Sequence, residues 1–390
     1  QAFDYAGPAE IFAEHVALSS FENGGTRDFD LSGLADVDYQ SLEPTQWPVR
    51  SKPVSRMFAD GRFFTPDGKA RFVPVVPPPP LVPAPGAFIL NTGRVRDHWH
   101  TMTRTGKAAR LSAHYAESFV ELHPDDAAAL NIHRATLVRL SNKHGSAVVR
   151  ALVTDRQRRR HLFVPMHWTD QFSSNGRIDA LVQAKVDPQS GQPALKMAQV
   201  YAEPFAVGLY GFFVARARPL QSGIDYWAVA ETAGGVRGEI GLVREPSDWS
   251  AFVRAMFGVN ESADLVTVYD AHAGRRSIAL IEGGKLVFAL YLSPDPVLVS
   301  RQWAADLLVA DTVSAAQVMA GRPGANIPDS GAIVCACFSV GINTIASAVR
   351  DQNCTTVEAV GACTRAGTNC GSCRSEIRGI IVASRLQAAE

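Results

Sequence analysis

The sequence predicts a mixed α/β protein built from several domains, and three observations carry that expectation. At 390 residues it is long enough for two to four separate cores. Runs of short β-rich segments give way further on to segments where strand and helix periods mix. All six cysteines fall in one C-terminal patch, from Cys335 to Cys373, so that patch has a chemistry of its own.

The first segment, 1–72, opens with "PAEIFAEHVALSSFENGG", where Pro8 suits a helix start and Gly24 stands just past the expected end. Residues 25–72 read as irregular, with turn signals such as "TPDGKARF". The stretch "VPVVPPPPLVPAP" (73–85) predicts an extended proline-rich linker. From 86 to 205 the runs "GAFIL", "SFVEL", "ATLVRLS", "AVVRALVT" and "HLFVPMHW" predict short strands around one short helix, "HPDDAAAL". Many short strands with turn punctuation suggest a closed barrel. Residues 206–325 predict a small α/β domain of uncertain role: helices at "DWSAFVRAMFG" and "VSRQWAADLLV", and a three-strand meander at "LVTVYDA", "SIALIE" and "LVFALYL". The segment 330–386 predicts a small helical domain, with Thr355 and Glu358 as a capping box before "VEAV".

Composition narrows the function. Thirty-eight basic residues balance 38 acidic ones, which argues against a general nucleic-acid or membrane-surface role. The longest apolar run, "SIALIEGGKLVFALYL", is broken by Glu282 and Lys285, too soon to cross a bilayer. The opening "QAFDYAGPAEIF" lacks a leader pattern, and a cytoplasmic location is expected.

In the cysteine patch, Cys335-x-Cys337 and Cys370-x-x-Cys373 form two chelating pairs. A 2Fe–2S cluster needs two thiolates on each iron, and two pairs supply them. Gly367 and Gly371 let the second loop turn tightly, and Cys373 opens a helix whose first amides favour a thiolate. A structural zinc held by four cysteines and a redox thiol pair remain open beside the cluster. Cys354 and Cys363, between the pairs, read as small buried residues.

A second constellation lies at 91–114, "NTGRVRDHWHTMTRTGKAARLSAH". Five basic side chains, with His98, His100 and His114, face Asp97 alone, and threonines and glycines are interleaved. In a neutral protein this is a concentrated oxyanion site, with Arg94 and Arg96 suited to bidentate phosphate contact, although a solvated basic loop is the simpler alternative. By contrast "RQRRRH" (156–161) reads as a hydrated turn.

Two sets of motifs resemble known families. "VCACFSVGINTI" and "TRAGTNCGSCRSEI" resemble the bacterioferritin-associated-ferredoxin-like (BFD-like) 2Fe–2S domain, which implies Cys335, Cys337, Cys370 and Cys373 as its metal ligands. "LNTGRVRDHWHTMTRTG", "FVPMHW" and "VDPQSGQPALK" resemble the molybdopterin-dinucleotide-binding domain of the nitrate reductase branch of the molybdopterin oxidoreductases. That resemblance implies a double-psi β-barrel at 86–205. It places Thr92, Gly93, Arg94, Trp99, His100 and Thr101 against a molybdopterin guanine dinucleotide, with further contacts from His167 and Lys196.

Together the two point to the C-terminal part of a bacterial assimilatory nitrate reductase catalytic subunit, which "FDYAGPAEIFAEH" and "TPDGKARF" also resemble; 1–72 is then the end of its catalytic region. The resemblance implies nitrate as substrate, a flavoprotein or ferredoxin as electron donor, and no nucleic-acid or membrane partner. It puts the molybdenum-ligating cysteine and a 4Fe–4S cluster upstream of this chain, which then carries no catalytic residue and is inactive alone. The alternatives are another molybdopterin oxidoreductase, such as a formate dehydrogenase, or a non-catalytic Fe–S carrier or docking protein.

Overall fold

A computed structural model describes residues 3–50, 54–74, 79, 82–188, 190–324 and 328–387. The chain divides into two compact units, 1–80 and 81–390. Most of the proline-rich stretch lies outside the described residues.

In the first unit, helix α1 (Pro8–Ser20) starts at the proline but stops four residues before Gly24. The chain leaves the helix at Phe21 in an extended conformation rather than through a glycine. The rest of this unit is irregular. Asp30 accepts from Ser32 N–H and pairs with Arg50 at 3.0 Å, and Phe29 stacks edge-on against Trp47.

The second unit begins with six strands: β1 (Phe88–Gly93), β2 (Phe119–Leu122), β3 (Leu137–Asn142), β4 (Gly145–Val153), β5 (His161–Pro165) and β6 (Ala198–Pro204). They close into a barrel in the order β1-β5-β2-β4-β3-β6, as the strand pattern predicts. Alternate residues such as Leu90, Val120, Leu140, Val149, Leu162, Val164 and Val200 fill its core. Short helices α2 (Ala109–Ser112) and α3 (Pro124–Ala129) sit in its connections.

The sequence reading missed β6, the strand that closes the barrel. The run "RQRRRH" is also more than a hydrated turn. Arg159 Nε bonds Asp126 at 2.8 Å, Arg160 N–H donates to the same carboxylate at 2.7 Å, and Arg156 reaches Glu121 at 3.1 Å. Asp126 is buried, and these donors satisfy it.

Six further strands follow: β7 (Leu209–Ala215), β8 (Tyr226–Thr232), β9 (Gly235–Leu242), β10 (Leu265–Asp270), β11 (Arg275–Glu282) and β12 (Lys285–Ser293). They form one antiparallel sheet in the order β10-β11-β12-β7-β9-β8, twice the size of the predicted meander. Helices α4 (Trp249–Phe257), α5 (Arg301–Asp306) and α6 (Ala315–Ala320) accompany it. Asp248 caps α4 by accepting from Ala251 N–H, and Gly258 ends it in the left-handed region.

Barrel and sheet share a core. Leu137 and Val148 of the barrel pack with Tyr210, Phe212 and Tyr226 of the sheet. A buried ionic network reinforces the seam. Arg150 on β4 grips Glu117 with bonds of 2.7–3.1 Å and lies 3.6 Å from Glu239 on β9. Glu239 in turn accepts from Arg301 at 2.8 Å, and Tyr226 hydroxyl donates to Glu117.

The last elements are a two-stranded ladder, β13 (Ile333–Cys335) with β14 (Val340–Gly341), and helices α7 (Ile342–Asp351), α8 (Val357–Thr364) and α9 (Arg374–Gln387). Their core includes Val334, Ile345, Val357, Val360 and Ile377. The cap of α8 is Thr356, not Thr355; its hydroxyl accepts from Ala359 N–H at 3.1 Å. Burial of Val357 and Val360 sets this register, and Glu358 turns outward to pair with Arg374.

Candidate cofactor sites

Parallel pairing of β1 with β5 delivers the C-terminal ends of both strands to the same rim of the barrel. The loop leaving β1 therefore meets the segment leaving β5. Val95 N–H donates to His167 Nε2 at 3.0 Å, and His167 Nδ1 donates to the His100 carbonyl at 2.6 Å. Both ring nitrogens of this buried histidine serve the loop, so it shapes the loop rather than presenting a free atom outward. Burial, with Arg94 nearby, holds His167 below the usual imidazole value, which suits a neutral ring that accepts at one nitrogen and donates at the other.

His98 works in the same way from the other side. Its Nε2 meets the Tyr115 carbonyl at 2.7 Å, and burial keeps it below the usual value. Asp97, His100 and Met102 adopt left-handed backbone conformations inside this pinned loop.

β6 runs antiparallel to β1, and Thr92 Oγ1 donates to the Leu195 carbonyl at 2.9 Å, which brings the residue before Lys196 to the end of β1. Arg94, Trp99, His100, Thr101 and Lys196 are all exposed, and the Arg94 guanidinium lies 5.9 Å from the centre of the Trp99 ring. A guanidinium beside an exposed aromatic plane suits a base and a phosphate. Gly93 is fitted closely: a Cβ there would come within 2.7 Å of the Phe163 ring. Gly93→Ala is therefore expected to lower stability by about 1–3 kcal/mol, read as a fall in the denaturation midpoint.

Arg96 does not join that rim. Its guanidinium bonds Asp97 at 2.6 Å, Glu376 at 2.7 Å, His114 Nε2 at 2.9 Å and the Val334 carbonyl. Val334 precedes Cys335, and Glu376 lies in the first turn of α9, just after Cys373. His114 Nδ1 is 3.2 Å from Asp97. Burial opposes ionisation of Asp97 and Glu376, but hydrogen bonds to His114, the Arg96 charge and, for Glu376, a hydrogen bond from Arg96 hold both carboxyls below their usual range. The residue that reads in sequence as a phosphate ligand instead ties the basic loop to the cysteine module. His114, Asp97 and Glu376 went unread as a group, and an acid at the start of a helix after a cysteine was the one available signal.

The four motif cysteines come together in the module, one from each motif in each close pair. Cys337 and Cys370 sulfurs are 3.4 Å apart near the surface, while Cys335 and Cys373 are buried and in contact with each other. Among the described residues no three donors gather around one ion position. Two thiol pairs supply the two thiolates that each iron of a 2Fe–2S cluster takes. Gly367 and Gly371 hold positive φ of 80° and 75°, as the tight loop requires.

Hydrogen bonds from Ser372 hold the Cys370 thiol below its ordinary value. Burial, with Cys335 alongside, pushes Cys373 up to about 11, which outweighs the helix-start effect expected from sequence. Metal binding at Cys373 must therefore release a proton. Cys354 and Cys363 also lie together, at 3.2 Å, but only Cys354 is buried; Cys363 is exposed, contrary to the sequence reading.

Known families match the chain over these same two regions. Residues 88–199 match the family "Molydopterin dinucleotide binding domain", and residues 333–383 match "BFD-like [2Fe-2S] binding domain". The chain thus carries a molybdopterin-dinucleotide-binding domain and a BFD-like 2Fe–2S domain, and the donor sets above fit both cofactors.

It is similar to one nitrate reductase along nearly its whole length, and to others over about half of it. It is 34% identical over 397 residues to a nitrate reductase of Klebsiella oxytoca, an alignment covering 99% of this chain and 45% of that protein. The assimilatory nitrate reductase catalytic subunit of Bacillus subtilis is 34% identical over 52% of the chain and 28% of its own length. A putative formate dehydrogenase, YrhE, of the same organism is 29% identical over 52% of the chain and 19% of its own length. The chain spans less than half the length of each of these relatives.

Proposed function

We propose that the chain is the C-terminal part of a molybdenum-dependent assimilatory nitrate reductase, reducing nitrate to nitrite when joined to the remainder of the enzyme. Nitrate reductase is favoured over formate dehydrogenase because alignment with one nitrate reductase runs through 99% of the chain, against 52% for the formate dehydrogenase. The same reading makes 86–205 the dinucleotide barrel and 330–386 the cluster domain, with 206–325 as the platform that docks on the barrel. It also takes the location to be cytoplasmic and the donor to be a flavoprotein or ferredoxin. Among the described residues no helix is long and apolar enough to cross a membrane.

The nitrate reductase alignment carries the choice of reaction, and the Arg96 bridge, which fastens the cysteine module to the basic loop, supports the electron-port part of the proposal. When bound, the molybdenum cofactor supplies oxygen-atom transfer and the 2Fe–2S cluster supplies one-electron chemistry. The chain positions them. Thr92, Gly93, Arg94, Trp99, His100 and Thr101 receive the dinucleotide, with Lys196 at the rim and His167 setting the loop. Cys337 and Cys370 turn toward solvent, where a donor protein docks, and Cys335 and Cys373 face inward toward Arg96. A carrier without catalysis would have no use for the barrel rim.

The test uses the full-length enzyme. Cys370→Ser should abolish nitrate reduction driven by the protein donor and leave much of the reduction driven by a small dye, which reaches the upstream centre directly. Equal loss of both activities in a folded, molybdenum-loaded enzyme would reject the electron-port role. A preparation with no extractable guanine dinucleotide would reject the cofactor assignment. The 390-residue chain alone should reduce no nitrate with either donor.

A further inference from the structure

We propose that Cys354 and Cys363 form a reversible disulfide, a redox-modification site in the 2Fe–2S module separate from the cluster ligands. The two sulfurs already touch, 3.2 Å apart. Their backbones hold them there: Cys354 N–H bonds the Ala348 carbonyl at the end of α7, and Cys363 stands in the last turn of α8. Cys354 is 3% exposed and packs in the module core, whereas Cys363 is exposed to reagents in solution.

Neither belongs to the cysteine motifs that match the cluster-binding pattern. No third metal donor joins them among the described residues, so the pair is not a second metal site. A buried thiol in contact with an exposed one is the arrangement of a resolving cysteine beside an attacking one. The hydrogen bond to Cys363, with burial, keeps the Cys354 thiol above its ordinary value, so the exposed partner meets the oxidant first.

The oxidant is a low-molecular-weight disulfide, RSSR. The Cys363 thiolate attacks one of its sulfurs, the RS–SR bond breaks, and one thiolate leaves and takes up a proton. Cys354 then loses its proton to solvent and attacks Cys363 Sγ, expelling the second RS group as thiol. Two protein thiols are oxidised and RSSR is reduced to two RSH, so atoms and electrons balance. The new bond ties the segment before α8 to its last turn, just ahead of Arg365, where the chain turns toward Cys370.

The experiment treats the full chain, carrying its cluster, with glutathione disulfide under anaerobic conditions. Free thiols are then alkylated and the peptides mapped. The expected result is a Cys354–Cys363 cross-link, loss of alkylation at both positions, retained cluster absorbance, and full reversal by dithiothreitol. Cys363→Ser should give no cross-link. Cys354→Ala should instead trap glutathione on Cys363, which keeps the test informative without the buried thiol. If both thiols stay alkylatable after treatment, or if Cys363 links to a cluster cysteine instead, the proposal fails.

Discussion

Replacing Cys335 by serine in the full chain is expected to remove both irons and both sulfides from the 2Fe–2S domain. Cys335 is 2% exposed, ends β13 and contacts Cys373 at the head of α9, so it serves the core as well as the cluster. A serine hydroxyl is a poor ligand for iron at neutral pH and a polar atom in an apolar setting. Iron and acid-labile sulfide analysis, with visible absorption, reads the outcome directly. Cys354→Ser, by contrast, should keep the cluster. Full iron content in Cys335→Ser, or one tightly held zinc in the unaltered chain, would contradict the ligand assignment.

Arg150→Ala is expected to destabilise the second unit by about 3–5 kcal/mol, because it strands buried acids. Glu117 and Glu239 have side chains only 15% exposed, and Arg150 compensates both while also donating to the Ala135 carbonyl at 3.0 Å. Burial opposes its charge, but the two carboxylates more than offset that and hold it protonated. Arg301 still answers Glu239 after the substitution, whereas among the described residues Glu117 keeps the Tyr226 hydroxyl alone. Chemical denaturation of the full chain measures the loss. Adding Glu117→Gln to Arg150→Ala should recover part of it, because a neutral amide is cheaper to leave buried. No recovery would mean that the loss is one of packing rather than of charge.

Much of the barrel was legible because β1 to β5 are short runs rich in β-branched, aromatic and other apolar residues, set between clear turn signals. β6 escaped although "AQVYAEP" alternates buried and open positions: Ala198, Gln199, Glu203 and Pro204 are weak strand formers, and its pairing with β1 and β3 makes it a strand. β7 escaped for the opposite reason. "LYGFFVA" is buried at every position, so it has no alternation to read. β8 and β9 pair through Gly235, Gly238 and Gly241, which weaken a strand signal although Phe213 needs the space above Gly238.

At the sites, residue types announced an anion loop and a metal-binding cysteine set, but local sequence does not tell which side of a loop an arginine takes. Arg94 stays on the rim and Arg96 turns away, because Glu376 and Val334 arrive from elements far along the chain. Similarly, the capping-box pattern pointed to Thr355 rather than the adjacent Thr356, and the burial of Val357 and Val360 explains why the helix starts one residue later.

A loop fastened by two uncharged imidazoles, at Val95, at the His100 carbonyl and at the Tyr115 carbonyl, has given up its freedom before any ligand arrives. The ordering entropy, on the order of 1–2 kcal/mol per residue, therefore falls on the folding of the apoprotein rather than on cofactor insertion. The shape of this loop is set by contacts within the chain itself. A ligand that binds at this rim would meet a loop already held in place, so substitutions at His98 or His167 are expected to loosen the rim itself.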